Sequence, residues 1–403
     1  MQAVVEETEG VTAPDSRAWF RLSGVLVVLS GVAMLAGFVG SLIAERFLGA
    51  PEYAAITAAL GLVSGATLPA GLLVLPVAGW AAHGFNWRRY LPVLQVGGVV
   101  LGGGSVLVAT SLIPHSAVPS WVPLLAVLGG AAYVSGVSTG VLLGRQAFLL
   151  LNAIGTGPNV FRVVGLAVLL LLGLLRVPTL VIAAYMVASA VAALLVAGAC
   201  YTLPDSGGGL SEPKRRGTWA SAWVALMATL WTGLDVTIAY HVLPAVQAGE
   251  YAVLSLIAKT PFYIGGVLAN MSIGEAAWGK ATMRKALLAI GAVGLLGALG
   301  ALAVGGRLLL LARVAPNTSD LLVMMIGNTA LCVVYLVAGV RAQRGTHVWW
   351  IGMTGFLCWT ALALSPWVSV TRLAWGECGI NVAAAAFLAF TVVSENRMGM
   401  RFR

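Results

Sequence analysis

The stretches Leu48–Leu60 (LGAPEYAAITAAL) and Gln247–Ile257 (QAGEYAVLSLI) carry one short pattern twice, Glu52-Tyr53-Ala54 recurring 198 positions on as Glu250-Tyr251-Ala252. Each copy follows a polar turn at the end of a long apolar run and leads into another. The match therefore covers position in the architecture as well as letters, and it divides the chain into two similar halves. Internal duplication of membrane spans is the usual plan of a transporter.

Composition agrees with membrane halves: 60% of the 403 residues are hydrophobic, only 9% are charged, and the mean hydropathy is +0.95. Apolar runs long enough to span a bilayer as helix recur from Leu22 to Phe390. A transmembrane barrel would instead alternate apolar and polar residues in segments of about ten. The 50 glycines would weaken helices in water, but between helices in lipid small residues permit close approach. The predicted fold class is an all-α polytopic membrane protein. Twelve helices are expected near 22–44, 54–80, 91–112, 122–144, 157–176, 179–200, 219–243, 250–272, 285–306, 320–340, 347–366 and 373–393. They form two six-helix lobes, 19–202 and 218–394. Between them LPDSGGGLSEPKRRG (203–217) reads as a flexible linker.

Lys and Arg resist translocation and set orientation. Of the 23 basic residues, five (Arg46, Arg176, Arg307, Arg313 and Arg372) fall on segments assigned outside, and two (Arg162 and Lys259) fall inside helices. The rest lie on inner segments, which predicts a multi-pass plasma-membrane protein with both termini in the cytoplasm. Topology thus accounts for the net charge of +9; basic residues this dispersed are no nucleic-acid surface. Residues 1–18 carry Glu6, Glu7, Glu9 and Asp15, opposite to the basic start of a secretory signal, and read as an acidic cytoplasmic tail. Residues 395–403 form a basic one. Cys200, Cys332, Cys358 and Cys378 stand singly without metal-ligand spacing, so no metal or cofactor is expected.

Several of these residues fall in a familiar order. Arg46-Phe47-Leu48-Gly49-Ala50-Pro51-Glu52-Tyr53 resembles the turn after the first helix of bacterial polysaccharide exporters, the oligosaccharide flippases of the superfamily that also contains the MATE multidrug exporters. Asp235-Val236-Thr237-Ile238-Ala239, Leu243 and Ala248-Gly249-Glu250-Tyr251-Ala252 resemble the start of the second lobe in those flippases. Gly144-Arg145 followed by Arg162 is similar to their middle region. The likeness spans helices one to eight and marks Arg46, Gly49, Glu52, Tyr53, Gly249, Glu250 and Tyr251 as family turns. It implies a MATE-like fold and alternating access. The implied cargo is a polyprenyl-diphosphate-linked oligosaccharide carried from the inner to the outer leaflet for cell-surface polysaccharide synthesis. The implied partners are the bilayer, that lipid-linked oligosaccharide, and a glycosyltransferase or polymerase of the same pathway. A MATE-like cation- or proton-coupled drug antiporter and a non-transporting membrane scaffold are the alternatives.

A charge at the membrane centre costs about 2.5 kcal/mol or more unless paired or hydrated. Asp235 and Lys259 each lie twelve residues from Gln247, so a hairpin brings them to similar depth, either as a neutralising brace or as a pair that contacts substrate or takes up an ion. Pro261 is expected to weaken the helix beside Lys259. Arg162 is placed about a turn and a half into helix five, either snorkelling to headgroups or facing a cavity to attract a diphosphate with Lys259; Arg145 would stand at the cytoplasmic mouth. Trp231 and Tyr263 are set deep enough to stack on a sugar, and Asp235 is the candidate for ion coupling. Glu45 and Arg46 read as an exposed pair, and Glu275 as part of a cytoplasmic loop or interfacial segment. Glu45, Glu52, Glu250, Asp320 and Glu377 read as scattered acids of short outer loops, and with no phosphate loop or Ser/His/Asp set an enzyme is not expected.

Overall fold

The computed structural model describes residues 16–66, 68–82, 87–111, 121–203, 215–277, 282–311, 317–343, 348 and 350–397. Among them are fourteen α-helices and no strand: α1 (Ser16–Leu48), α2 (Ala50–Ala66), α3 (Leu68–Ala82), α4 (Trp87–Ser111), α5 (Val122–Gly144), α6 (Phe148–Leu171), α7 (Pro178–Thr202), α8 (Arg215–Val242), α9 (Ala245–Ala258), α10 (Thr260–Ala277), α11 (Met283–Leu311), α12 (Thr318–Gln343), α13 (Trp350–Ala363) and α14 (Val370–Arg397). Ten helical stretches among the described residues are long and apolar enough to cross a membrane, and Leu73–Ala82 and Trp350–Ala363 are shorter apolar ones. The chain is an all-α, multi-pass membrane fold. Most of the acidic tail and linker, and the end of the basic tail, lie outside the described residues; α1 begins within the first and α8 within the second.

Fourteen helices make twelve spans because two are broken. The second span is α2 with α3 and the eighth is α9 with α10, the latter interrupted at Lys259. Pro261 offers no N–H to the carbonyl one turn earlier, so the ladder lapses where the sequence expects it to weaken. The fifth span departs more: a helix predicted at 157–176 runs instead over Phe148–Leu171, straight through Pro158. In lipid a proline is tolerated inside a helix because neighbouring groups satisfy the freed carbonyl.

The first lobe, α1–α7, is knit by α4 on α5, α3 on α5, α1 on α6, and α7 on α5 and α6; the second by α12 on α10, α11 and α14. The lobes meet where α2 and α3 pack on α8, α2 on α9, and α1 on α10. Apolar side chains turned outward, such as Val93, Val96 and Val100 on α4 and Leu295, Leu299 and Leu302 on α11, suit lipid tails, whereas α12 is buried over most of its length. Glycine sets the spacing of α4 and α5: a Cβ on Gly129 would stand 2.5 Å from the Gly102 carbonyl oxygen. Gly129→Val is therefore expected to cost about 1–3 kcal/mol by overpacking and to lower the unfolding temperature of the detergent-solubilised protein. Gly104→Val, with nothing within 4 Å of its Cβ position, should leave that temperature unchanged.

Candidate functional site

Between the lobes lies a cavity in two compartments of about 450 and 440 Å³. Both are bordered by Ser41, Arg162, Tyr185, Leu256 and Tyr263, so α1, α6, α7, α9 and α10 all reach their shared boundary. Arg162 is the fifteenth residue of α6, about 21 Å from its start at 1.5 Å per residue. The end of α6 at Leu171 is nearer, about 13.5 Å away, and the Arg162 side chain borders the cavity. Its guanidinium carbon lies 4.8 Å from the Tyr185 ring centroid. The two terminal nitrogens donate to Asn159 Oδ1 at 3.3 Å and Ser189 Oγ at 3.4 Å, while the buried Nε has no partner. No carboxylate among the described residues pairs with this cation.

Lys259 stands at the break in span eight and lines the first compartment, only 4% exposed. Its Nζ donates to Asp235 Oδ1 at 2.6 Å and to the Thr232 carbonyl at 3.1 Å, leaving one N–H to turn to a ligand. Asp235 Oδ2 accepts from Ser255 Oγ at 2.8 Å and from the Tyr251 hydroxyl at 3.5 Å. The Tyr251 oxygen also lies 3.5 Å from Glu377 Oε2, and Glu377 Oε1 accepts from Asn328 Nδ2 at 2.8 Å. Asp235, Glu377 and Asn328 are each at most 2% exposed. The sequence reading of the pair is thus met by a contact, and the pair proves to be one end of a longer buried chain. Glu377 is a correction: it is no loop acid but sits in the second turn of α14, where an acid needs partners that lie far away in sequence.

The remaining sequence candidates separate. Tyr263 borders both compartments. Trp231 borders neither: its Nε1 donates to the Gly352 carbonyl and its ring packs edge-on against Phe356 and beside Trp359, so it is a core anchor of α8 on α13. Arg145 lies half-buried in the α5–α6 turn, three residues before Phe148, which borders the second compartment. Glu45 and Glu275 are buried, 5% exposed each, inside α1 and α10, contrary to the exposed pair and the loop or interfacial segment read from sequence; Arg46 is exposed. Gly49 takes φ 91° between α1 and α2, a backbone that favours glycine. Glu52 is exposed, and Gly249 is buried in α9 beside the half-buried Glu250.

The duplicated motif gives its two tyrosines different work. Tyr53 borders the first compartment, whereas Tyr251 bridges the two carboxylates. Moved back by the same 198 positions, Asp235 and Lys259 fall on Gly37 and Gly61. The first lobe therefore has no counterpart of the ion pair. Gly61 instead lets α2 touch α8, where a Cβ would meet the Gly233 carbonyl at 2.7 Å and Thr237 besides, and Thr237 Oγ1 donates across the lobe boundary to the Ala58 carbonyl at 3.2 Å.

No protein-family model matches the sequence, and no curated protein matches it. Solved structures do share the fold. An inward-facing multidrug resistance MATE family transporter of the MOP superfamily aligns over 92% of this chain and 96% of its own at 11% identity and TM-score 0.58. MATE in complex with MaL6 aligns over 93% and 97% at 9% identity and TM-score 0.64. A MOP superfamily transporter from Pyrococcus furiosus, described by a binding pocket of reverse polarity that suggests a different function, aligns over 92% and 93% at 14% identity and TM-score 0.61. The chain has the two-lobed fold of these proteins.

Proposed function

We propose that this protein is a transporter that moves a polyprenyl-diphosphate-linked oligosaccharide from the inner to the outer leaflet of the plasma membrane by alternating access, with both termini cytoplasmic. The observation that carries this reading is Arg162, a half-buried cation open to both compartments and facing no carboxylate. A planar guanidinium held away from bulk water suits a diphosphate, which it can grip with two parallel hydrogen bonds. Lys259 keeps one N–H for the same anion. Asn152, Asn159, Asn270 and Ser189 add amides and hydroxyls along the walls, groups that match sugar hydroxyls. Cavity polarity varies within this fold, as the description of the Pyrococcus furiosus protein indicates.

A cation- or proton-coupled drug antiporter is the second reading, favoured by the buried Asp235 and Glu377. An unpaired arginine at the waist of the cavity repels the cationic cargo such an exporter would take. Conditional depletion separates the two. The flippase reading expects a complete lipid-linked oligosaccharide to accumulate on the inner leaflet, seen by mass spectrometry of polyprenol-linked glycans with membrane-impermeant labelling, and to clear when wild-type protein is restored. An unchanged glycan pool overturns that reading and directs attention to drug efflux by Asp235→Asn.

A further inference from the structure

A third cavity, of about 290 Å³, lies between α1 of the first lobe and α9, α10, α11 and α12 of the second. Among the described residues that line it, Thr260 alone has a hydrogen-bonding side chain. Such a space gives water no partners and stays dry, so in a bilayer it is hydrocarbon that fills it. Two of its lining residues reach the lipid-facing surface, Leu35 at 63% and Val304 at 45% exposure. On the inner side Met34 borders both this cavity and the second compartment, and Leu256 borders all three spaces. These two side chains therefore stand between an apolar space open to lipid and the polar cavity that Arg162 lines. An unbranched methionine changes rotamer readily, so this wall can part without moving a helix. The far wall, on α11, is recessed at Gly297 and Gly300, and a Cβ added at Gly300, or at Gly31 on α1, meets nothing within 4 Å.

We propose that this cavity holds the diphosphate end of the cargo's polyprenyl tail, with Met34 and Leu256 as the wall that parts to join tail site and head site; the assignment rests on the flippase reading above. An amphiphile whose diphosphate sits at Arg162 must lead its hydrocarbon out of the polar cavity, and the third cavity is an apolar exit that shares residues with both compartments. A prenyl chain carries a methyl branch on every isoprene unit, and the recesses at Gly31, Gly297 and Gly300 accept such branches. The straight acyl chain of a bilayer lipid has none to place there. Arg162 thus selects the head group, and the glycines select the isoprenoid behind it.

The test uses the full chain in phosphatidylcholine nanodiscs and a sugar-free polyprenyl diphosphate with a diazirine on the isoprene unit next to the diphosphate. After irradiation, mass spectrometry is expected to find the label on α1 and α11 where they line the third cavity, competed away by unlabelled polyprenyl diphosphate. Gly300→Leu and Gly31→Leu fill the recesses without a clash at Cβ. Each should keep its unfolding temperature and lower that labelling roughly tenfold, the loss expected when about two methylenes are kept out of apolar contact. Gly104→Leu, on α4 of the first lobe, should leave the labelling unchanged. Label spread evenly over lipid-facing helices, or label that survives both substitutions, overturns the inference. So does equal labelling of the same residues by a diazirine phosphatidylcholine, the sign of an ordinary bilayer chain. Inorganic diphosphate titrated into the same nanodiscs reads the head site separately. Saturable binding that Arg162→Ala removes, without label in the third cavity, overturns the tail site alone; neither binding nor label overturns the flippase reading with it.

Discussion

Lys259→Ala is expected to destabilise the protein by about 3–5 kcal/mol, the usual cost of removing one partner of a buried ion pair, and to abolish transport. Asp235, 1% exposed, would keep only Ser255 and the distant Tyr251 hydroxyl as donors, and its charge would sit uncompensated beside Glu377. The double variant Asp235→Asn, Lys259→Met removes both charges and should regain most of the unfolding temperature. Transport in liposomes decides what the pair does. If it only braces the α8–α9 hairpin, transport returns together with stability. The position of Lys259 on the cavity wall at the break in span eight leads us to expect stability without transport.

The second large effect is expected at Arg162. Its hydrogen bonds to Asn159 and Ser189 are long, so Arg162→Ala should alter stability by no more than about 1 kcal/mol. Losing two charge-assisted contacts to a diphosphate should cost about 3 kcal/mol, roughly a hundredfold in transport at limiting substrate. Arg162→Lys keeps the charge but loses the fork and the stacking on Tyr185, and is expected to fall between. Arg162→Glu should be inactive with anionic cargo though folded. Undiminished flipping by Arg162→Glu would show that the diphosphate does not bind here, and a gain in efflux of cationic drugs would move the assignment to the antiporter.

The spans and the break at Pro261 are legible in the sequence because length and proline chemistry act locally. The Asp235–Lys259 contact is legible for a related reason: both residues lie equally far from one hairpin turn. Arg162 shows where that ends. Gly155-Thr156-Gly157-Pro158 reads as a helix boundary by the rules of soluble proteins, so Arg162 is placed too near the helix start; in lipid the helix runs on through it. Glu377 falls within the span expected at 373–393, and a carboxylate one turn inside a membrane helix is itself the signal of a partner. The partners, Asn328 and Tyr251, stand 49 and 126 positions away, and no spacing rule reaches that far. Trp231 is read as a cavity residue from its position along α8, but position along a helix does not say which face meets the cavity and which meets α13.

On the flippase reading proposed above, the unpaired guanidinium at the cavity's waist would also make the carrier responsive to voltage. Lys259 is matched by Asp235, so among the charged side chains lining the empty cavity Arg162 alone adds net charge, and a dianionic diphosphate would reverse that to a single negative. A cell interior held negative pushes the loaded, negative form outward and draws the empty, positive form back. Each half-cycle would gain up to about 2.3 kcal/mol per charge for every 100 mV crossed, so on that reading one arginine left without a counter-ion would let the resting field drive both strokes in the same direction of transport.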